Sequence, residues 1–158
     1  MPLPFGLTQD LKHKMQVTQN RLIRFVLNLH PRSHIGKEEF IKLNWLPVVS
    51  RVNQMILCHV FKINSKLALS YLNDHFTPVM NIHEKRFRVK IDSTNNDNSK
   101  TVLENSKRFC IPKVKGFGMK SFAYNGCTLW NALPHIARDA KTVSSFKKII
   151  NEHIFNFL

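Results

Sequence analysis

The stretch from Asn44 to Lys62 constrains the fold most, because a Trp-Leu-Pro step opens the longest apolar run of the chain. Positions 48, 52, 55, 56, 59, 60 and 63 recur at helical spacing, which predicts a buried central helix. Pro47 suits the first turn of that helix, because the amide that proline lacks would have no partner there. We expect Trp45 to pack against the helix start. The residues expected in the core are Trp45, Val52, Met55 and Ile56.

An amphipathic helix is predicted over residues 9 to 29, with Thr8 as its N-terminal cap and Asp10 in its first turn. The apolar stripe that we expect to face the core consists of Leu11, Met15, Leu22, Phe25, Val26 and Leu29. The basic residues that fall largely off this stripe are Lys12, Lys14, Arg21 and Arg24. Shorter helices are predicted at 37 to 43 and at 67 to 76, so the first half has the pattern of a helical bundle.

The second half of the chain changes character at residue 82. Basic and apolar residues alternate over 82 to 91, which predicts a strand with Arg86 and Arg88 on its basic face. Residues 92 to 106 are polar and rich in Asn and Ser, so we expect a mobile loop there. A short strand interrupted at Pro112 is expected over 109 to 114. Helices over 119 to 133 and 143 to 157 follow, and Thr142 is the expected cap of the last one.

These patterns predict a mainly α fold, a small helical bundle with a short β-hairpin or strand pair in the second half. A chain of 158 residues is long enough for one domain with a real core. We divide it into a helical segment at 1–80, a strand-like basic segment with the polar loop at 81–106, and a last segment at 107–158. The last segment combines a basic strand or turn with C-terminal helices that are expected to pack on the first part.

The chain is strongly basic, since 24 Lys and Arg stand against 10 Asp and Glu, a formal net charge of +14. This charge favours a polyanionic partner such as nucleic acid or, less often, an anionic membrane face. The three cysteines are widely spaced, which predicts neither a disulfide framework nor a zinc site. No apolar run is long enough to cross a bilayer. We therefore expect no membrane partner and an intracellular location, cytoplasmic, nuclear or both.

The acidic residues do not form a catalytic pattern. Enzymes that use two metal ions need carboxylates close enough to share them, and the only adjacent acids, Glu38 and Glu39, begin a short helix, where the helix dipole explains them. Neither a phosphate-binding glycine loop nor a nucleophile elbow occurs. His30 and His34 have helical spacing, but Pro31 separates them. We therefore expect no enzyme activity of the chain by itself, no metal and no cofactor.

The segment from Lys107 to Lys120 has the composition of a binding site, because basic residues alternate there with Phe109 and Phe117 and no acid occurs. Its basic residues are Lys107, Arg108, Lys113, Lys115 and Lys120. Cations bind phosphates and aromatic rings stack on bases, which suits single strands or A-form duplexes. With Arg86 and Arg88 of the predicted strand, these residues and Phe117 form the candidate nucleic-acid site. A solvated hairpin edge kept soluble by lysines explains the same pattern equally well.

Several short sequence motifs occur one after another along the chain. They are Gln19-Asn-Arg-Leu-Ile-Arg-Phe-Val-Leu-Asn-Leu, Arg32-Ser-His-Ile, Leu43-Asn-Trp-Leu-Pro-Val with Arg51, Ser70-Tyr-Leu, Ile111-Pro-Lys, Gly118-Met-Lys-Ser-Phe, Leu129-Trp-Asn-Ala-Leu-Pro and Ser144-Ser-Phe-Lys-Lys. In this order they resemble the C-terminal region of the reverse transcriptase polyprotein of animal non-LTR, LINE-type retrotransposons. The resemblance runs over about residues 11 to 158.

The resemblance implies thumb and post-thumb sequence, which in that family follows the fingers and the palm. Nothing in the chain matches the Tyr-x-Asp-Asp motif of the palm, so the resemblance implies no catalytic residue. It implies a non-catalytic C-terminal fragment of an RNA-directed DNA polymerase that binds RNA or RNA–DNA duplex through basic surfaces, with the remainder of a reverse transcriptase as a further partner. The alternatives are a helical protein-interaction or structural module and a degenerate fragment without a selected function.

Overall fold

The computed structural model describes residues 8–79 and 107–156, and in these ranges the chain is mainly helical. In chain order the helices are α1 (Gln9–Val26), α2 (Lys37–Lys42), α3 (Val48–Asn64), a 3-10 helix (Ser70–His75), a second 3-10 helix (Gly116–Lys120), α4 (Phe122–Ala132), α5 (His135–Arg138) and α6 (Val143–Asn156). The predicted mainly α fold is therefore confirmed.

Side-chain hydroxyls define where three of these helices begin. Thr8 Oγ1 accepts a hydrogen bond from the Leu11 amide at 3.3 Å at the start of α1, and Thr142 Oγ1 accepts from the Ser145 amide at 3.1 Å at the start of α6. Both caps agree with the sequence prediction, because a hydroxyl at this position satisfies an amide that has no partner within the helix. Ser121 caps α4 in the same way, so α4 begins at Phe122 rather than at residue 119.

The first three α-helices end in the same left-handed turn. Asn28, Asn44 and Lys66 have φ angles of 50, 52 and 56°, respectively. The amide that follows each of them donates to the carbonyl five residues earlier, at 2.8, 2.9 and 2.8 Å. This pattern satisfies carbonyls at the helix end and stops the helix. It explains why α1 ends at Val26, three residues before the predicted end at residue 29.

The main hydrophobic core lies where α3 packs against α4 and α6. Phe61 of α3 stacks on Phe146 of α6, with ring centroids 4.4 Å apart and an interplanar angle of 22°. The indole of Trp130 in α4 lies 5.8 Å from the same Phe146 ring. All three side chains are almost completely removed from solvent. The core therefore joins a helix from the first half of the chain to two helices from the second half.

The helices α3 and α4 approach each other closely at Gly126. A Cβ atom at this position would lie 2.9 Å from side-chain atoms of both Val60 and Phe76, so no larger residue fits without displacement. Phe76 also meets Phe109 edge-on, with ring centroids 5.5 Å apart. The glycine thus allows the chain on either side of residues 80–106 to pack into one core.

The predicted central helix is confirmed, and Val60 and Ile63 of its predicted core face are buried, but two positions of that face are exposed. Met55 is 53% exposed and His59 is also exposed, so the prediction that they face the core is wrong. Residues beyond the predicted face are buried as well, namely Gln54, Leu57 and Phe61. Ile56 is buried as expected, and Val52 packs partly buried against the core. Because α3 is apolar around most of its circumference, α4 and α6 decide which side is covered.

Trp45 is not part of the main core. It is partly buried and packs against a second, smaller cluster formed by Ile23, Ile35 and Phe40. The physical reason is the left-handed turn at Asn44, which brings the Trp45 amide to 2.9 Å from the Phe40 carbonyl. The prediction of Trp45 as a core residue of the central helix is corrected accordingly.

Most of the apolar stripe predicted to bury α1 faces solvent instead, namely Leu11, Met15, Leu22, Phe25 and Val26. Leu29, the last residue of the stripe, is partly buried against the second cluster as expected. Polar side chains hold the opposite side of the helix against the start of α3, because Gln19 Nε2 donates to the Leu46 carbonyl at 2.8 Å. Gln16 Oε1 accepts from the Val48 amide at 3.0 Å and so satisfies the first turn of α3. These two bonds and the buried Ile23 determine which side of α1 faces the rest of the protein. Sequence periodicity alone predicts that the side with the apolar stripe would do so.

The described ranges contain one β-bridge and no strand. It is antiparallel and pairs Pro78 with Phe109, flanked by the Val79 amide bonded to the Arg108 carbonyl at 2.9 Å. Pro112 has no amide to donate, which limits the pairing of residues 109 to 114. The strand predicted at 82–91 and the loop predicted at 92–106 lie outside the described residues.

The two tryptophans give a direct comparison of the two clusters. Replacing the buried Trp130 by Ala is expected to lower the free energy of unfolding by about 3–5 kcal/mol. Replacing the partly buried Trp45 by Ala is expected to cost about 1–2 kcal/mol, because less apolar area is lost. Urea unfolding followed by circular dichroism measures both. A larger loss for the Trp45 variant would contradict the assignment of the main core, and Trp130→Phe provides a milder variant of the same site.

The left-handed turn after α3 offers a stabilising substitution. Lys66→Gly is expected to raise the free energy of unfolding by about 0.5–1 kcal/mol, because glycine adopts a positive φ without the steric cost that a Cβ brings. Lys66→Ala is the matched control, since it removes the same side chain and keeps the Cβ. Thermal unfolding of the two variants separates the contributions, and equal melting temperatures would contradict the strained turn.

Candidate nucleic-acid interface

The start of the basic segment is fixed on α4 by hydrogen bonds to its backbone. Asn131 uses its whole amide for this purpose, since its Oδ1 accepts from the Phe109 amide at 2.9 Å and its Nδ2 donates to the Phe109 carbonyl at 2.8 Å. The indole N–H of Trp130 donates to the carbonyl of Lys107 at 2.8 Å. With the Phe109 ring buried in the main core, these bonds hold the chain in an extended path across the surface.

The middle of the segment presents its side chains to solvent. Lys113, Lys115 and Lys120 are exposed, and the ring of Phe117 is 87% exposed. The ammonium of Lys120 lies over the Phe117 ring, 5.0 Å from its centroid, at a distance typical of a cation–π contact. Gly116 has a φ of +59° and is the first residue of the second 3-10 helix, which contains Phe117 and Lys120. We call Lys113, Lys115, Phe117 and Lys120 the basic–aromatic patch.

The predicted site residues differ in exposure and in ion pairing. Lys107 forms an ion pair with Asp139, so its charge is partly compensated, whereas Arg108 is exposed. Arg86 and Arg88 lie outside the described residues. Among the predicted site residues that are described, the basic–aromatic patch thus contains three exposed cations and an exposed ring, with Lys120 in contact with that ring.

The electrostatic surroundings of the patch favour an anion. No Asp or Glu occurs between residue 107 and residue 138, while the same stretch contains six Lys and Arg. This local excess of cations favours phosphate, although salt screens the attraction over about 10 Å. An anionic strand along this surface would therefore meet cations first.

An open groove lies beside the patch. It has a volume of about 980 Å³ and is bounded by three parts of the chain, 72–77, 110–114 and 121–123. Its lining is mostly apolar, with Leu72, Ile111, Val114 and Phe122 among the contributing side chains. Lys113 belongs to this lining, and Asp74 supplies one carboxylate. The groove thus places apolar surface next to the cation of Lys113, and such surface suits the packing of bases.

Two asparagines that position the segment were not identified from the sequence. Asn125 is buried and its Nδ2 donates to the carbonyls of Met119 and Ser121, at 3.1 and 3.0 Å, which ties the 3-10 turn to α4. Asn131 binds Phe109 as described above. Both stand within a helix, where asparagine is unfavourable unless its side chain bonds to backbone elsewhere. The occurrence of two asparagines inside a predicted helix is the sequence signal that indicates this role.

Two further features of the described ranges bear on the nature of the site. No group of three or more His, Cys, Asp or Glu residues among them is arranged to hold a metal ion. No helix within 8–79 and 107–156 is long and apolar enough to cross a membrane.

The cysteines offer a test of the packing around the groove. Burial raises the pKa of the Cys127 thiol to about 11, and burial also raises the pKa of Cys58. Since the thiolate is the reactive form, both should react slowly below pH 9, and the rate at Cys127 should rise only as the pH approaches 11. Cys110, which is half-buried and lines the groove, should react first.

Alkylation with iodoacetamide at pH 8, followed by peptide mass spectrometry, measures the three rates separately. Cys110→Ser is the control, because it should remove the fast phase and leave the slow ones unchanged. Equal labelling of Cys110 and Cys127 in the folded protein would contradict the burial of Cys127 between α4 and the core.

Comparisons of the chain with protein-family models, with curated protein sequences and with solved structures return no match. The site is therefore characterised by its own geometry: an extended segment fixed on α4, three exposed lysines, one exposed phenylalanine and an adjoining groove. This arrangement can bind a phosphate backbone and stack a base.

Proposed function

We propose that the chain is a non-catalytic nucleic-acid-binding segment, derived from the C-terminal region of a non-LTR retrotransposon reverse transcriptase, that binds RNA or RNA–DNA duplex. The observation that carries the proposal is the basic–aromatic patch, in which Lys113, Lys115 and Lys120 are exposed and the Lys120 ammonium lies over the Phe117 ring, itself 87% exposed. An exposed aromatic ring suits stacking on an unpaired base. The net charge of +14 agrees with a polyanionic partner.

The geometry supports a division of roles within the patch. The lysines bind phosphates and supply affinity that depends on salt. Phe117 stacks on a base, and its contribution depends little on salt. The bonds from Asn131 and Trp130 to the segment reduce the freedom that would otherwise be lost on binding, because the backbone is already held in place.

Two matched triple variants test the proposal. The first changes Lys113, Lys115 and Lys120 to Glu, and the second changes three exposed lysines on other helices, Lys42, Lys62 and Lys148, to Glu. Both produce the same change in net charge. Binding is measured by fluorescence anisotropy with a labelled RNA strand and an RNA–DNA duplex over a series of salt concentrations.

The patch variant is expected to weaken binding and to flatten the dependence of log K on log salt by about 0.7 to 0.9 for each lost phosphate contact. The control variant should change both quantities much less. Phe117→Ala should lose about 1–3 kcal/mol of binding free energy with an unchanged salt dependence. Equal losses from the two triple variants would contradict a localised site and would leave only a diffuse basic surface.

A second candidate function is supported by a different observation. The apolar residues of α1 that face solvent, among them Phe25, which is 84% exposed, favour a protein-interaction module. This function and nucleic-acid binding are compatible, because α1 and the basic–aromatic patch are formed by different parts of the chain.

A further inference from the structure

The exposed face of α1 carries four apolar residues and one threonine at alternating intervals of four and three. Leu11, Met15, Thr18, Leu22 and Phe25 follow this spacing, which places them on one line along the helix. All five are exposed, with Leu22 at 50% and Phe25 at 84%. We call them the α1 seam. A line of this kind is the surface by which one helix packs along another.

The seam is a fixed feature of the structure, because the other side of α1 is occupied. Gln16 and Gln19 bond to the backbone at the start of α3, and Arg24 Nε donates to the Ser33 carbonyl at 2.9 Å. Ile23 lies completely buried in the second cluster. A rotation of α1 that buried the seam would break these bonds and expose Ile23. The fold thus holds an apolar line outwards.

Charge identifies the partner that fits the seam. Lys14 and Arg21 flank it on the side away from α3, and they are seven residues apart, so they repeat with the seam. The only acid of α1 is Asp10, which pairs with Lys14 at 2.9 Å. Arg21 forms no ion pair with any residue of the described ranges. We infer that the α1 seam binds a helix of another protein with apolar residues at heptad spacing and acidic residues on their flanks.

A second copy of the chain fits less well. In an antiparallel pair of α1 helices, Lys14 and Arg21 would face the same cations of the other copy, which is unfavourable. In a parallel pair they would face Gln19 and Val26, neither of which is acidic. A membrane surface also fits less well, because it takes a wide apolar face, whereas the seam contains Thr18 and is bordered on one side by the Gln19 contact.

The test uses the full chain and designed peptides of about 21 residues, or three heptads. The first peptide has Leu on its apolar line and Glu on both flanks. The second keeps Leu and replaces the flanking Glu by Lys. The third keeps Glu but replaces the Leu line by Ser, so that it measures attraction by charge alone. Binding is measured by isothermal titration calorimetry and repeated with the seam variant Leu22→Ser/Phe25→Ser.

We expect the first peptide to bind at least about tenfold more tightly than either of the other two. The seam variant should weaken this binding at least about tenfold. Ile136→Ser is the matched control, since Ile136 is 59% exposed outside α1, and it should have no effect. The variant with Lys113, Lys115 and Lys120 changed to Glu should still bind the first peptide, which separates this inference from nucleic-acid binding.

Several results would overturn the inference. They are equal binding of the Leu and Ser peptides, an unchanged affinity of the seam variant, and equal binding of the Glu and Lys peptides. Sedimentation equilibrium that showed a dimer abolished by the seam variant would assign the seam to a second copy instead. Flotation with phosphatidylcholine–phosphatidylserine vesicles that depended on Leu22 and Phe25 would assign it to a membrane surface.

Discussion

The position of the basic segment depends on the burial of one side chain, Trp130. Its ring lies 5.6 Å from Phe109 and 5.8 Å from Phe146, and its indole N–H donates to the Lys107 carbonyl. An indole is buried at low cost only when its N–H has a partner. Packing the core therefore fixes the backbone at the beginning of the segment that carries the exposed lysines. Substitutions in the core would consequently shift the backbone of the candidate interface, although none of the cations of the interface is itself buried.

The sequence predicted the helices better than their orientation. The cap residues Thr8 and Thr142 and the apolar run of α3 were sufficient to locate three helices, because local hydrogen bonds and periodicity determine these features. The buried side of α3 was not predictable in this way, since residues such as Leu57 and Met55 are both apolar and only the packing of α4 and α6 distinguishes them. In α1 the polar contacts of Gln16 and Gln19 over long sequence separations determine the rotation.

The candidate interface shows the same division between composition and geometry. An acid-free run with interleaved Phe indicated the region, because charge and aromatic content are read directly from the sequence. Composition did not reveal that Lys107 pairs with Asp139, a residue 32 positions later, or that Phe109 is buried while Phe117 is exposed. These differences arise from the path of the chain, which Asn131 fixes by bonding to Phe109 from α4.

The separation of the hydrophobic residues into two clusters affects how the molecule fluctuates. The cluster beneath α1 and α2 contains three buried residues, Ile23, Ile35 and Phe40, and is much smaller than the core around α3. Regions with few buried contacts open locally at a lower free energy than the whole fold. Amide hydrogens of α1 should therefore exchange with solvent before those of α3. Because α1 would open together with its outward apolar line, a ligand held there would also slow this opening.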